Sequence, residues 1–280
     1  MNNDLVISVA LTGAWPTKAD NPAVPFTKEE IAADVIACAK AGASVVHIHA
    51  RDAQGIGTMD TEVFCGIVEH VRTEMEKHGV DINLNLTTSG ALGMTDEIRI
   101  AHLERLRPEM CSYDCGSMNW MHKSVFENSP AFLEKLGRRT QELGVKPELE
   151  IFDGGMVENA KYYIKTGVLR PPCNFQLVLG APGGLAGGIE NLMFLRSLLP
   201  DNCTWSATGI GRFHMPVLLA ALALGADGIR VGLEDNVLMA KGVPATNESL
   251  VLRAAELARL AGRTVATAAR ARELLDLRKP

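Results

Sequence analysis

Aromatic residues are scarce in this chain, at 5% of its 280 positions. A core without many large rings must be filled by aliphatic and small side chains. Alanine and glycine are plentiful, as suits helices packed closely on strands. No dense Lys/Arg block occurs and the net charge is −5, so nucleic-acid binding has no electrostatic footprint. No apolar run is long enough to span a bilayer. The opening Met1-Asn2-Asn3-Asp4 lacks the basic flank of a secretory signal. The six cysteines form no C-x-x-C pair, and they read as reduced, mostly buried thiols of a cytoplasmic protein. No G-x-G-x-x-G follows the first apolar segment, which weakens a dinucleotide-binding reading. No linker, low-complexity tract or composition break divides the chain, so residues 1–280 are expected to form one domain.

What is present is a regular alternation of strand-like and helix-like segments. Strands are expected at Leu5–Leu11, Ser44–Ala50, Asp81–Thr87, Met110–Asp114, Pro147–Phe152, Asn174–Leu179, Cys203–Ala207 and Gly228–Gly232. Helices are expected between them, among them one opened by the capping-box spacing Thr27-Lys28-Glu29-Glu30 and one from Thr61 to Lys77 stopped by Gly79. Others are placed near Val157–Thr166 and Met215–Leu224, and two more near Glu248–Ala261 and Thr267–Leu277. Such a rhythm predicts the α/β class and a (β/α)8 TIM barrel, with an open doubly wound sheet as the main competitor.

Parity within the strands sharpens this. Asn83, Asn85 and Thr87 share a face, as do Glu148 and Glu150, Asn174 and Gln176, and Thr204, Ser206 and Thr208, while the other parity is mainly apolar. Helices outside the barrel require the apolar parity outward, so the polar parity lines the axis. The lower residues, such as Asn83 and Glu148, suit a self-satisfied network. Thr87, Glu150 and Glu234, at the C-terminal ends, suit function, because barrel active sites open at that face.

His47 and His49, in Val45-Val46-His47-Ile48-His49-Ala50-Arg51-Asp52, carry the chemistry. Residues i and i+2 of a strand point the same way, so the two imidazoles converge as divalent-metal ligands do. The plain alternative is a strand that merely contains two histidines. Barrel closure sets the eighth strand beside the first, and the second strand is next. Glu234 can therefore approach both imidazoles, making an open site for zinc, with iron or manganese tolerated. An ion pair between Glu234 and Arg230 is the alternative, and it can coexist with ligation. Pro182-Gly183-Gly184 follows the sixth strand, where glycines would let backbone approach a bound group closely, although Pro-Gly-Gly is also an ordinary turn. His214 reads as a helix-start residue, not a further ligand.

In order along the chain, several segments together resemble the β-keto acid cleavage enzymes. They are Ala10-Leu11-Thr12-Gly13-Ala14, His47-Ile48-His49-Ala50-Arg51-Asp52, Pro108-Glu109-Met110, Pro147-Glu148-Leu149-Glu150, Val178-Leu179-Gly180-Ala181-Pro182-Gly183-Gly184, Gly209-Ile210-Gly211-Arg212-Phe213-His214 and Arg230-Val231-Gly232-Leu233-Glu234-Asp235-Asn236. The resemblance implies a zinc enzyme, usually a homotetramer, that converts a β-keto acid and acetyl-CoA into acetoacetate and a new acyl-CoA. It places zinc on His47, His49 and Glu234. It makes Asp235 the base for the C2 proton, and sets Glu150 and Arg230 beside the reacting groups. A guanidinium at Arg230 would suit the substrate carboxylate. Thr87 and Ser112 keep hydroxyls where the family's type member has the other hydroxyl residue, and either would donate to an oxyanion or simply cap a turn. Asp114 replaces an asparagine, with no role assigned.

Trp15 departs from the pattern. It stands where the type member, which acts on 3-keto-5-aminohexanoate, has a glutamate that receives the substrate ammonium. An indole forms no such ion pair, so the expected acyl chain is apolar or neutral, or a quaternary ammonium on the ring face. A plug for the loop is the plainer reading of Trp15. Two other classes compete for the whole chain. A metal-dependent hydrolase also uses H-x-H on a barrel strand, but it needs further histidines on later strands. A non-catalytic acyl-CoA-binding protein needs no base beside a metal.

Overall fold

The chain's computed structural model describes residues 3–90 and 93–279. The alternating polar and apolar residues set its architecture. Eight parallel strands form the barrel: β1 (Asp4–Ala10), β2 (Val45–Ile48), β3 (Asn83–Leu86), β4 (Met110–Asp114), β5 (Lys146–Ile151), β6 (Cys173–Leu179), β7 (Cys203–Gly209) and β8 (Gly228–Val231). Each pairs with the next, and β8 returns to β1 with Ser8 opposite Arg230, so the sheet closes. Outward-facing Leu5, Ile7, Val9, Leu84, Leu86, Leu149, Ile151, Phe175 and Leu177 are buried under the helices, which is the main apolar core. The (β/α)8 expectation holds.

The helices are α1 (Lys28–Ala41), α2 (Thr61–His78), α3 (Asp96–Leu106), α4 (Pro130–Leu143), α5 (Gly154–Lys165), α6 (Ile189–Leu198), α7 (His214–Ala223), α8 (Asn247–Leu260) and α9 (Ala268–Leu275). The capping box of α1 forms as expected, with Thr27 Oγ1 accepting from the Glu30 amide and the Glu30 carboxylate accepting from the Thr27 amide. Helix α5 starts earlier than its apolar pattern suggests. Asp153 caps it by accepting from the Met156 amide, and the intervening Gly154-Gly155 weakens any sequence signal for its first turn.

The floor of the barrel is a separate construction. The short strand Thr264–Val265 joins Asp4–Leu5, and α9 lies under the bottom. Its Ala271 and Leu275 pack on the inward Val6, Val45 and Met110. Asn83 Nδ2 donates to the carbonyls of Ser44 and Ala268, and Asn174 Nδ2 donates to that of Leu275. The lower polar residues are thus consumed by structure, as the parity argument anticipated, and the upper ones remain for chemistry.

Two strand ends differ from expectation. Strand β2 stops at Ile48. Ala50–Arg51 peel away to pair with Gly57–Thr58, so His49 sits at the break and not within a continuous strand. Strand β7 runs on to Gly209 and carries Thr208 to the mouth. Among the described residues, no helix is long and apolar enough to cross a membrane.

Candidate active site

Three side chains meet at the mouth of the barrel. The imidazoles of His47 and His49 have centroids 5.0 Å apart. Glu234, in the turn that follows β8, reaches both: its Oε2 lies 3.8 Å from His47 Nε2 and its Oε1 3.4 Å from His49 Nε2. The ending of β2 at Ile48 therefore does not separate the pair. Strand alternation explains His47, while the bend after it aims His49.

The residues fit a divalent cation. Burial holds His47 neutral, outweighing the pull of Glu234, and lowers its pKa to about 3, and a neutral ring is what a metal requires. Burial pushes the Glu234 carboxyl up, but His49, Arg230 and His47 outweigh this and hold it well below the usual carboxylate range. Glu234 Oε2 and His47 Nδ1 are buried without a hydrogen-bond partner among the described residues. Two imidazoles and an ionised carboxylate with an unspent oxygen suit zinc or a neighbouring transition metal. His47, Glu148 and Glu150 also lie close enough to share an ion. That triad is the poorer one, because Glu148 already accepts from Asn85 Nδ2 at 2.6 Å and Glu150 from Arg230.

Arg230 is the hub beside the ligands. Its Nε and Nη2 donate to Asp235 at 2.9 and 3.0 Å, Nη2 also to Glu234 at 2.9 Å, and Nη1 to Glu150 at 3.1 Å. The expected Arg230–Glu234 pair is present and coexists with the two imidazole contacts. Three carboxylates occupy most of the guanidinium, which leaves it little capacity for a substrate carboxylate. Asp235 also accepts from Thr208 Oγ1 at 3.2 Å, which puts Thr208 on the polar face expected for it with Thr204 and Ser206. Burial raises the Asp235 carboxyl, against the lowering effect of Arg230. Burial raises Glu150 well above its usual range, again with Arg230 opposing.

The remaining candidates are placed around this hub. Ser112 Oγ, in β4, accepts from the Thr88 amide at 2.9 Å and lies at the longer distance of 3.5 Å from Thr88 Oγ1, whose own proton goes to the Ser112 carbonyl. Thr87 Oγ1 is 2.5 Å from Ser89 Oγ, a turn contact just past β3. Trp15 lies on the loop after β1 and is 56% exposed. Gly183 and Gly184 are pressed against the protein itself. A Cβ on Gly183 would lie 2.0 Å from the Asn119 carbonyl oxygen, and one on Gly184 would lie 2.9 Å from that of Phe152. Close backbone approach is thus used to dock the hairpin of Met118–Trp120 and Ser124–Phe126. His214 begins α7 and faces Arg253 Nη2 at 3.1 Å, away from the ligand set, as its placement in the sequence suggested.

Arg51 is a contributor that sequence reading passed over. Buried and without a carboxylate partner among the described residues, it donates to Thr12 Oγ1 and to the carbonyls of Thr12, Gly13, Pro16 and Gly55. It thereby clamps the loop that carries Trp15. Gly13, at φ +57°, backs directly onto Glu234, where a Cβ would lie 2.5 Å from Cγ. The one available signal was a charged residue on a strand end that otherwise turns inward.

The fold and the site together define a barrel enzyme whose mouth gathers two histidines and a carboxylate close enough to hold a metal ion. The buried polar residues of β4, β5 and β6 are Ser112, Asp114, Glu148, Glu150, Asn174 and Gln176, so these strands carry none of the further histidines of a binuclear hydrolase. Residues 4–277 match the model of the beta-keto acid cleavage enzyme family. The chain is 39% identical over 280 residues to the 3-keto-5-aminohexanoate cleavage enzyme of Fusobacterium nucleatum, covering all of both chains. It is 33% identical to the 3-dehydrocarnitine:acetyl-CoA trimethylamine transferase of Rhizobium meliloti, covering 100% of this chain and 98% of that one. The ternary complex of ObcA with a C4-CoA adduct and oxalate superposes with a TM-score of 0.80 at 25% identity, covering 91% of this chain and 68% of that one. The chain belongs to the beta-keto acid cleavage enzymes, as its segments suggested.

Proposed function

We propose that this chain exchanges a β-keto acid with acetyl-CoA, yielding acetoacetate and a new acyl-CoA, with zinc held by His47, His49 and Glu234. The observation that carries the reading is the meeting of those three side chains with Asp235 one residue beyond Glu234. When bound, the cation supplies positive charge beside the substrate's keto and carboxylate oxygens.

Asp235 takes the proton from C2 of the keto acid. Arg230 and Thr208 hold its carboxylate in place, and burial keeps its proton affinity above that of an exposed aspartate. The carbanion carbon attacks the thioester carbonyl of acetyl-CoA, and the thiolate departs. That thiolate then attacks the original keto carbon, and the bond between that carbon and C2 breaks. The C2 carbanion released by that cleavage takes the proton back from Asp235 and leaves as acetoacetate, and the acyl group remains on CoA. Ser112 is the freer of the two hydroxyls to donate to an oxyanion, and Thr87 stands beside it on the neighbouring strand. Glu150 and Asp235 share Arg230, whose charge offsets the burial of both.

Trp15 offers the acyl chain an apolar surface and no charge, so the preferred substrate is not 3-keto-5-aminohexanoate. The enzyme works in the cytoplasm as a homotetramer, in keeping with the family it belongs to. A panel of β-keto acids with acetyl-CoA, read by mass detection of the acyl-CoA formed, tests the reaction and the acyl preference together. Product from neutral chains ahead of the amino compound is the expected result. Hydrolysis that proceeds without CoA, or preference for the amino compound, contradicts it.

A further inference from the structure

Five carboxyl groups line the axis and mouth of the barrel, and the chain provides for four of them. Glu150, Glu234 and Asp235 share Arg230, and Glu148 has the Asn85 amide. Asp114 is the exception. It ends β4 and is 4% exposed, and its Oδ2 is buried with no hydrogen-bond partner among the described residues. Its parity is that of Ser112, and its register partner on β5 is Glu150, so it belongs to the inner, upper face. Burial raises its pKa to about 6, while the charges of Arg99, His49 and Arg230 act against this.

What Asp114 lacks is a hydrogen bond, not a counter-charge. Arg99 is the first cation it feels, yet that guanidinium spends its donors elsewhere. They go to the Thr88 carbonyl at 2.8 Å, the Glu127 carbonyl at 2.9 Å and Asn128 Oδ1 at 2.6 Å. A buried acceptor without a donor is costly to keep, and a ligand that brings the donor recovers that cost. We propose that Asp114 is a specificity-determining residue that accepts a hydrogen bond from a hydroxyl group on the acyl chain of the β-keto acid. The proposal rests on the exchange reaction above and narrows its substrate to hydroxylated chains. A neutral donor also agrees with the uncharged surface of Trp15.

The test compares 3-oxohexanoate, 5-hydroxy-3-oxohexanoate and 5-amino-3-oxohexanoate on the zinc-loaded enzyme and on Asp114→Asn and Asp114→Ala. The readout is the ratio of kcat/KM between substrates, which a general folding defect leaves alone. The native enzyme is expected to prefer the hydroxy over the plain compound by about 10-fold, the worth of one hydrogen bond to a charged group. Asp114→Ala brings the ratio near unity. Asp114→Asn keeps most of the preference, because its amide oxygen still accepts. A ratio that Asp114→Ala leaves unchanged, a shift in KM for acetyl-CoA instead, or a lead for the amino compound overturns the assignment. Calorimetric binding of the three acids without acetyl-CoA reads the same ratio without turnover. Failure of the exchange reaction and failure of the Asp114 assignment therefore give different results.

Discussion

Glu234 and Asp235 are consecutive, yet their surroundings separate their work. Glu234 faces two imidazoles and is held ionised, whereas Asp235 is buried against Arg230 and Thr208 with its proton affinity raised. Glu234→Gln is expected to lower zinc affinity by more than about 100-fold, measured by chelator competition, since it removes an anionic ligand. Asp235→Asn should retain the metal and lose about 10²–10⁴-fold in turnover, as removal of a general base does. Metal retained at native affinity in the first variant contradicts the ligand set. At this scale the histidine pair was legible because two imidazoles two residues apart are chemically conspicuous. Asp114 was visible only as a substitution. Its want of a donor depends on where the Arg99 donors go, and no local pattern encodes that.

Among the elements, the loop after β1 shows how an arginine can shape a site without touching substrate. Arg51 donates to acceptors in residues 12–16 and to Gly55, a spread that one ammonium does not span. Arg51→Lys should therefore loosen the loop that carries Trp15. KM for the keto acid is expected to rise about 10-fold, the equivalent of about one charged hydrogen bond, with a smaller change in kcat. Steady-state kinetics measure the split, and an equal fall in both parameters at native KM would deny the loop its role in binding. Strand and helix existence was readable from parity and caps. The paired strands Met118–Trp120 and Ser124–Phe126, and Leu238–Ala240 and Val243–Pro244, were not, because runs this short carry no useful alternation.

For the molecule as a whole, two histidines far from any ligand role weaken the fold in acid. Burial lowers His102, stacked on Phe64, and His214, beside Arg253, to pKa values of about 4. Between pH 4 and the ordinary value near 6.5, each of these imidazoles binds more protons in the unfolded chain than in the folded one, so its own contribution to stability rises with pH and is fully present above about 6.5. Each histidine withdraws up to about 3 kcal/mol as pH falls through this window. Thermal unfolding should therefore occur at markedly lower temperature near pH 4.5 than near pH 7. His102→Leu should flatten that slope, and an unaltered slope would mean that His102 does not titrate on unfolding.

The floor laid by α9 carries a consequence for biosynthesis. Asn83 lies early in the chain, but its amide waits for the Ala268 carbonyl, its carbonyl oxygen for Arg272, and Asn174 for Leu275. A nascent polypeptide still threaded through the ribosome can assemble every wall of the cylinder and yet hold these amides against water. Drying of the interior is thus among the last events of its maturation.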